Sequence, residues 1–433
     1  MKKFNIETLG CKVNQYESEA LERLFEESGY EKAQKGDKAD VYVINTCTVT
    51  GQAAAKSRQY INRAKRDNPE AQIAVVGCYS QVSPEEIEKL GVDVIIGTKD
   101  RARVLELLDQ ARQLKTSISI VENIKRNQKF DELKYNTQRD MTRAYLKIQE
   151  GCNMYCSYCI IPYARGPISS RDMDNILEES RKLAAAGFKE IVLTGIHVES
   201  YGKDLGKDYF RLIDVVEKVA EIEGVERIRL SSVEPRIISD EFMERYVASK
   251  KACDHFHLSL QSGSDAILKA MNRKYDTSQY LEKVNLIRKY MPDAGITTDI
   301  IVGFPGETQE LFDETMGFVD KIAFSKIHVF PYSKRKATPA ADFEMQVEGP
   351  IKKQRAHLLA EKEEKISKAF LDSFIGKTLK VLFEEEAARD VVTEGYSTNY
   401  LRVSVPRDDS LINQIRNVKI IERKDLTLKG VVL

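Results

Sequence analysis

The stretch GCNMYCSYC at positions 151–159 sets Cys152, Cys156 and Cys159 within eight residues. Three thiols suit neither common use of cysteine, because a closed tetrahedral zinc site takes four ligands and a disulfide takes two. Thiolates also bind iron–sulfur clusters, and a [4Fe–4S] cube normally takes four of them. Held by three, such a cube keeps one iron open to an outside ligand. A zinc reading needs a fourth ligand from His197, His255 or His257, and spacing alone leaves it open. Three further thiols, Cys11, Cys47 and Cys78, close the strand-like runs FNIETLGC, DVYVINTC and AQIAVVGC. The seventh, Cys253, fits no motif and reads as an ordinary packed residue.

The elements that carry these thiols follow from periodicity. Residues 1–113 alternate short apolar runs, with a fourth in VDVIIGT, and helical stretches such as YESEALERLFEESG. That alternation predicts a mostly parallel sheet buried on both faces. Ligands bind such a sheet at the C-terminal ends of its strands, so Cys11, Cys47 and Cys78 should converge on one edge. Residues 114–137 are polar and weakly periodic and read as a linker.

Residues 138–369 repeat strand and helix through AYLKIQ, EIVLTG, RIRLSS, HFHLSLQ, ITTDIIVGF and KIHVFPY, predicting a partial (β/α)6 barrel. In HFHLSLQ, Phe256, Leu258 and Leu260 alternate with His257, Ser259 and Gln261, which predicts an apolar outer face and a polar lumen. GCNMYCSYC follows the first of these strands, at the end where barrel active sites lie. Residues 370–433 hold short strands and turns without a helix-length segment and predict a small antiparallel β-barrel. Tyr396, Tyr400 and Arg402 are expected on its outside.

The chain has 433 residues, 42% hydrophobic and 31% charged, with a formal net charge of zero. No apolar run reaches the roughly 18–20 residues that span a bilayer. The start, MKKFNIETLGC, lacks an apolar signal core, so a cytoplasmic protein without a membrane partner is expected. Basic residues cluster twice: Lys56, Arg58, Arg63, Lys65 and Arg66 in one helix, and Lys334, Arg335 and Lys336 beside Tyr332. Basic groups interleaved with aromatics hold phosphate and stack bases, although such runs are also ordinary solvated faces.

C-x3-C-x2-C after a first barrel strand, with Tyr158 before the last cysteine, resembles the radical S-adenosylmethionine (SAM) superfamily. That resemblance implies that SAM occupies the open iron and is cleaved to a 5′-deoxyadenosyl radical. It also implies cofactor contacts at Tyr158, at Gly195 in LTGIH, at Ser232 and Glu234 in SSVEP, at Gln261 in LSLQSG and at Val302 in DIIVGFPGE. LGCKVNQYESE, VINTCTVT, VVGCYSQ and FPYSK extend the likeness over the whole chain, which resembles the radical SAM methylthiotransferases. The family reading adds a TRAM-like RNA-binding C-terminal domain and a second [4Fe–4S] cluster on Cys11, Cys47 and Cys78. It implies that the N-terminal sheet edge faces the barrel mouth.

LGCKVN and KIQEGCN are most similar to the subtype that methylthiolates threonylcarbamoyladenosine at tRNA position 37. An isopentenyladenosine subtype and one acting on a ribosomal-protein aspartate stand as alternatives, as does an iron–sulfur RNA-binding module without radical chemistry. The implied partners are a tRNA anticodon stem-loop, a sulfur source, and an electron donor such as a flavodoxin or ferredoxin. Because threonylcarbamoyl carries a carboxylate, an arginine is expected near the mouth, with Arg165 and Arg171 the first candidates.

Overall fold

The computed structural model describes residues 2–34, 36–124, 129–133, 142–384 and 392–433. Its N-terminal layer is a parallel sheet in the order β2-β1-β3-β4-β5-β6. The strands are β1 (Lys3–Thr8), β2 (Glu31–Lys32), β3 (Val41–Thr46), β4 (Gln72–Gly77), β5 (Val94–Ile96) and β6 (Ile118–Ile120). β3 and β4 are buried along their whole length. Phe4, Val43 and Val76 pack on one face with Leu21 and Phe25 of helix α1 (Lys12–Glu27). Ile44 and Val75 pack on the other with Ile61 of α2 (Gly51–Asp67). A sheet covered on both sides needs continuous apolar strands, which is what these runs supply. β6 falls inside the segment read as linker: Ile118 and Ile120 extend the sheet beyond β5, and three residues are too short for a period to show. Positions 125–128 and 134–141, which include the expected 137/138 boundary, lie outside the described residues.

The central region runs through β7 (Arg143–Glu150), β8 (Ser169–Ser170), β9 (Glu190–Gly195), β10 (Arg227–Leu230), β11 (Ser232–Val233), β12 (His255–Leu258), β13 (Gly295–Val302) and β14 (Lys326–Pro331). β7, β9 and β10 are parallel neighbours, as are β11 to β14, and a bridge between Ile228 and Ala252 joins the two groups. The result is an open barrel of six parallel strand positions, with β8 antiparallel at one edge. Phe256, Leu258 and Leu260 pack in the outer core, as their alternation predicts. His257 faces Thr297 and Asp299 in the lumen.

The 24-residue helix Gly349–Asp372 carries the chain to a closed barrel of β15 (Thr378–Glu384), β16 (Val392–Ser397), β17 (Arg402–Pro406), β18 (Ile415–Lys424) and β19 (Thr427–Val432). Closure is not wholly antiparallel, because β17 and β19 pair in parallel to join the ends. This barrel caps the N-terminal end of the central one. Arg227 and Arg229 donate to backbone carbonyls of Lys380, Tyr396, Ser397 and Thr398. Tyr400 stacks on Tyr396 and His255 at 4.9 and 4.8 Å, with the guanidinium of Arg229 4.6 Å from its ring. Tyr396 and Tyr400 lie on the outside of the small barrel, as expected, but that side is packed against the central barrel. They are the joint, and Arg402 is paired with Glu394.

Replacing a packed aromatic by alanine costs on the order of 3 kcal/mol, and the lost cation–π contacts add to it. Tyr400→Ala should therefore speed proteolytic release of the C-terminal barrel from the intact protein. Equal release from the variant and the wild type would place the strength of the joint elsewhere.

Candidate active site

GCNMYCSYC leaves β7 through Gly151, whose φ is +71° and where a Cβ would fall 1.8 Å from the Pro167 carbonyl oxygen. The loop is pinned from a neighbouring segment. Ser157 donates its N–H to Met271 and its hydroxyl to Ala270, at 3.0 and 2.8 Å, and Asn272 donates to the Tyr155 carbonyl at 3.0 Å. Arg273, buried in the same segment, donates to Cys156 Sγ at 3.2 Å and lies 2.8 Å from Glu234. Glu234 also meets Arg236, and Glu199 meets His197 Nε2 at 2.8 Å. Burial alone would discharge His197, but Glu199 and Glu234 outweigh it and raise its pKa to about 9. In this knot three cations, His197, Arg236 and Arg273, face two carboxylates, and the surplus charge adjoins Cys156.

The second triad is built on the N-terminal sheet edge. Cys11 is the N-cap of α1, Cys47 follows β3, and Cys78 opens helix α3 (Cys78–Val82) directly after β4. Gly10, at φ +113°, brings its backbone to the second thiol: a Cβ there would lie 3.2 Å from Cys47 Sγ. Asn14 ties the edge together, donating to the carbonyls of Leu9 and Thr46 at 2.7 and 3.0 Å.

Arg165, six residues after Cys159, reaches this triad from the barrel. Its Nε donates to Cys78 Sγ at 3.3 Å, its Nη1 to Glu17 and Glu150 at 2.7 Å each, and its Nη2 to Asn14 and Glu17 at 2.7 and 3.0 Å. Around it, four cations (Lys99, Arg101, Lys147 and Arg165) face three carboxylates (Glu17, Asp131 and Glu150), all buried or nearly so. Here too one positive charge is in surplus beside a thiol. Thr98 of the N-terminal layer adds a hydrogen bond to the Ala164 carbonyl at 2.8 Å. The Cys11 triad thus sits at the barrel mouth, joined to the loop of the other triad by the five-residue helix Ile161–Arg165.

The donor sets fit iron–sulfur clusters. Burial pushes the free thiols of Cys78, Cys152 and Cys159 up to about 12, yet N–H groups point at sulfur: Arg165 at Cys78, Arg273 at Cys156, and Met154 at Cys152 at 3.4 Å. Such donors stabilise thiolates, the form that binds metal. Among the described residues, the groups whose ligand atoms all lie within 4.8 Å of one another are His257–Asp299–His328 and His197–Glu199–Glu234, and neither cysteine triad is one of them. Thiolates about 2.3 Å from one tetrahedral zinc would sit about 3.8 Å apart. Neither triad is drawn in to that spacing. The histidines of the zinc reading are engaged elsewhere: His197 with Glu199, His255 with Tyr400, and His257 with Thr297.

The other expected contacts fall around the strand ends. Gly195 ends β9 against the Gln149 carbonyl, where a Cβ would lie 2.8 Å away. Ser232 lies on β11 opposite the core-facing Val233. Glu234 is anchored by Arg273 as above. Gln261 takes a left-handed φ of +76° and bridges to Ile300. Val302 turns its side chain into the outer core, so that residue offers the lumen backbone alone. Tyr158 packs beside Phe304 and Tyr332.

Arg165 and Arg171 do not bear out the expectation of a substrate carboxylate. All five N–H groups of Arg165 have partners, and Arg171 is locked between Glu132 and Glu179. Sequence reading also passed over Asn14, Glu17, Lys147, Glu150 and Arg273. The first four stood inside quoted motifs as charged or amide residues that turn out fully buried.

Residues 146–319 match the radical SAM superfamily and residues 3–97 match the uncharacterized protein family UPF0004. A threonylcarbamoyladenosine tRNA methylthiotransferase, MtaB, of Bacillus subtilis is 45% identical over 96% of this chain and 93% of its own length. The chain belongs to the radical SAM methylthiotransferases. A tRNA-2-methylthio-N(6)-dimethylallyladenosine synthase of Acetivibrio thermocellus is 38% identical over 99% of this chain and 90% of its own. Among solved structures, the radical SAM methyltransferase TsrM from Kitasatospora setae shares the fold, with a TM-score of 0.58 at 14% identity, covering 79% of this chain and 77% of that one. Like its family, this methylthiotransferase uses SAM and two [4Fe–4S] clusters.

Its two halves meet through the Arg165 network, whose strength depends on pH. Burial alone would raise Glu150, but Lys147, Lys99 and Arg165 hold it at about 2, and Arg101, Arg165 and Lys147 hold Glu17 well below 4.5. Carboxylates depressed in the folded state stabilise it above the unfolded value and lose that contribution as pH falls through the folded one. The halves should loosen between about pH 4.5 and 2, seen as faster hydrogen exchange in α1. At neutral pH, Glu17→Gln leaves buried cations short of an anion and should cost about 3–5 kcal/mol. A variant as stable as the wild type would mean that the network is replaceable.

Proposed function

We propose that this methylthiotransferase converts N6-threonylcarbamoyladenosine at position 37 of tRNA to its 2-methylthio derivative. Support for this substrate comes from the 45% identity to a relative named for it, against 38% to one named for the dimethylallyl substrate. The single structural observation behind the chemistry is that both cysteine triads lie at one barrel mouth, joined by Ile161–Arg165.

In this reading Cys152, Cys156 and Cys159 hold the cluster that binds and cleaves SAM, while Cys11, Cys47 and Cys78 hold the sulfur-donating one. Bound there, the clusters and SAM supply a radical able to replace an adenine C2–H, which is neither acidic nor next to a leaving group. The chain supplies placement. Gly151 sets the turn of the first loop, and Arg273 ties Cys156 to Glu234, so the loop and the SAM-binding strand ends move as one body. Arg165 does the same for Cys78 and β7. Protonated His197 and Arg273 keep Glu234 ionised, with a pKa of about 2 against the effect of burial, and ready to accept hydrogen bonds from a ribose.

A base in the anticodon loop can enter such a mouth at the least unstacking cost. A tRNA partner, an electron donor of flavodoxin or ferredoxin type and a sulfur source complete the requirements. Among the described residues no helix is long and apolar enough to cross a membrane.

Nucleoside mass spectrometry of tRNA from cells with and without the gene tests substrate and reaction together. We expect loss of 2-methylthio-N6-threonylcarbamoyladenosine and accumulation of its parent. Loss of the isopentenyl counterpart instead would transfer the enzyme to the other tRNA subtype.

A further inference from the structure

An anion-binding group is needed close to the Cys11 triad. In the proposed substrate, adenine C2 receives the sulfur while the carboxylate hangs from N6 of the same ring. Bonds of about 1.3–1.5 Å then keep that carboxylate within roughly 10 Å of C2. Of the two arginines first expected there, Arg165 has no donor to spare and Arg171 is already held by two carboxylates, Glu132 and Glu179.

Arg335 has a donor to spare. It lies in the loop after β14, at the C-terminal strand ends, and this loop clasps the N-terminal layer. Ser333 Oγ accepts the Gly51 N–H at 2.9 Å, and Arg335 Nη2 donates to the hydroxyl of Thr48, the residue after Cys47. The Arg335 carbonyl accepts from the Thr338 hydroxyl at 2.7 Å, which fixes the turn. Its Nε is buried without a partner. Among the described residues no carboxylate lies within ion-pair distance of it, in contrast to Arg101, Arg165, Arg171, Arg229 and Arg273.

Nearby Glu86 is spoken for, taking the Tyr79 hydroxyl and sitting 3.9 Å from Arg58. Burial pushes the Arg335 guanidinium below its usual pKa, against the pull of the more distant Glu86. A planar fork with an unpaired Nε–H and spare Nη hydrogens matches a carboxylate in two-point fashion.

We propose that Arg335 reads the carboxylate of the N6 threonylcarbamoyl group and so selects this substrate over an apolar N6 substituent. The inference rests on the substrate reading above. The same donors would also accept a backbone phosphate of the anticodon loop, so the test must separate the two oxyanions.

The reconstituted holoenzyme should be titrated with synthetic anticodon stem-loops bearing either threonylcarbamoyladenosine or plain adenosine at position 37, with affinity read by fluorescence anisotropy. Wild type should prefer the modified loop. Removing hydrogen bonds to a charged group should make Arg335→Gln bind that loop roughly 10–100-fold more weakly, with the plain loop unchanged and iron content intact. Arg335→Lys should recover part of the loss, since it keeps charge without the fork.

Equal weakening on both loops would assign Arg335 to phosphate and overturn the proposal, as would a preference that survives in Arg335→Gln. A wild type that binds both loops alike would overturn the substrate reading itself, and the role of Arg335 with it.

Discussion

A thiolate is costly to bury, and the positions of the charged groups in this protein answer that cost twice. Each triad has one buried arginine donating to one of its sulfurs, and each arginine sits in a knot with one more cation than carboxylates. A buried cation and a buried thiolate are each unfavourable alone, so a neighbouring arginine favours the thiolate form of the sulfur it meets. The knots also span elements far apart in sequence. Arg165 binds α1, β7 and Cys78 at once, and Arg273 binds the cysteine loop to Glu234. Cluster ligation and domain docking are thereby the same set of contacts.

That coupling explains what could and could not be read from the residues in order. The strand ends at Cys11, Cys47 and Cys78 were legible because a two-sided sheet writes itself as continuous apolar runs. The polar lumen was legible in the alternation of HFHLSLQ. What escaped was charge that behaves like core. Asn14 and Glu17 lie three residues apart on α1, a spacing that puts them on one helix face and was available as a signal. Nothing in that spacing says the face is buried, because charged residues are ordinarily solvent-facing. Arg165 and Arg171 were misjudged for the same reason: a sequence shows the cation and not its partners. Glu17 is 148 residues from Arg165.

Two aromatic residues of the C-terminal barrel face outward, as the sequence suggests, yet the surface they meet is protein. Tyr396 lies near the end of β16 and Tyr400 in the turn after it, and both face the base of the central barrel. Whether an outer surface is solvent or interface is a property of the assembled chain. β6 was missed for want of length, since three residues cannot establish a period.

The hairpin around Tyr400 has a consequence for traffic. Tyr400, Arg143 and Arg229 cover the floor of the central barrel, at the end opposite the entrance that the N-terminal layer partly roofs. A small molecule and a large nucleic acid approaching the strand ends would meet at that same entrance.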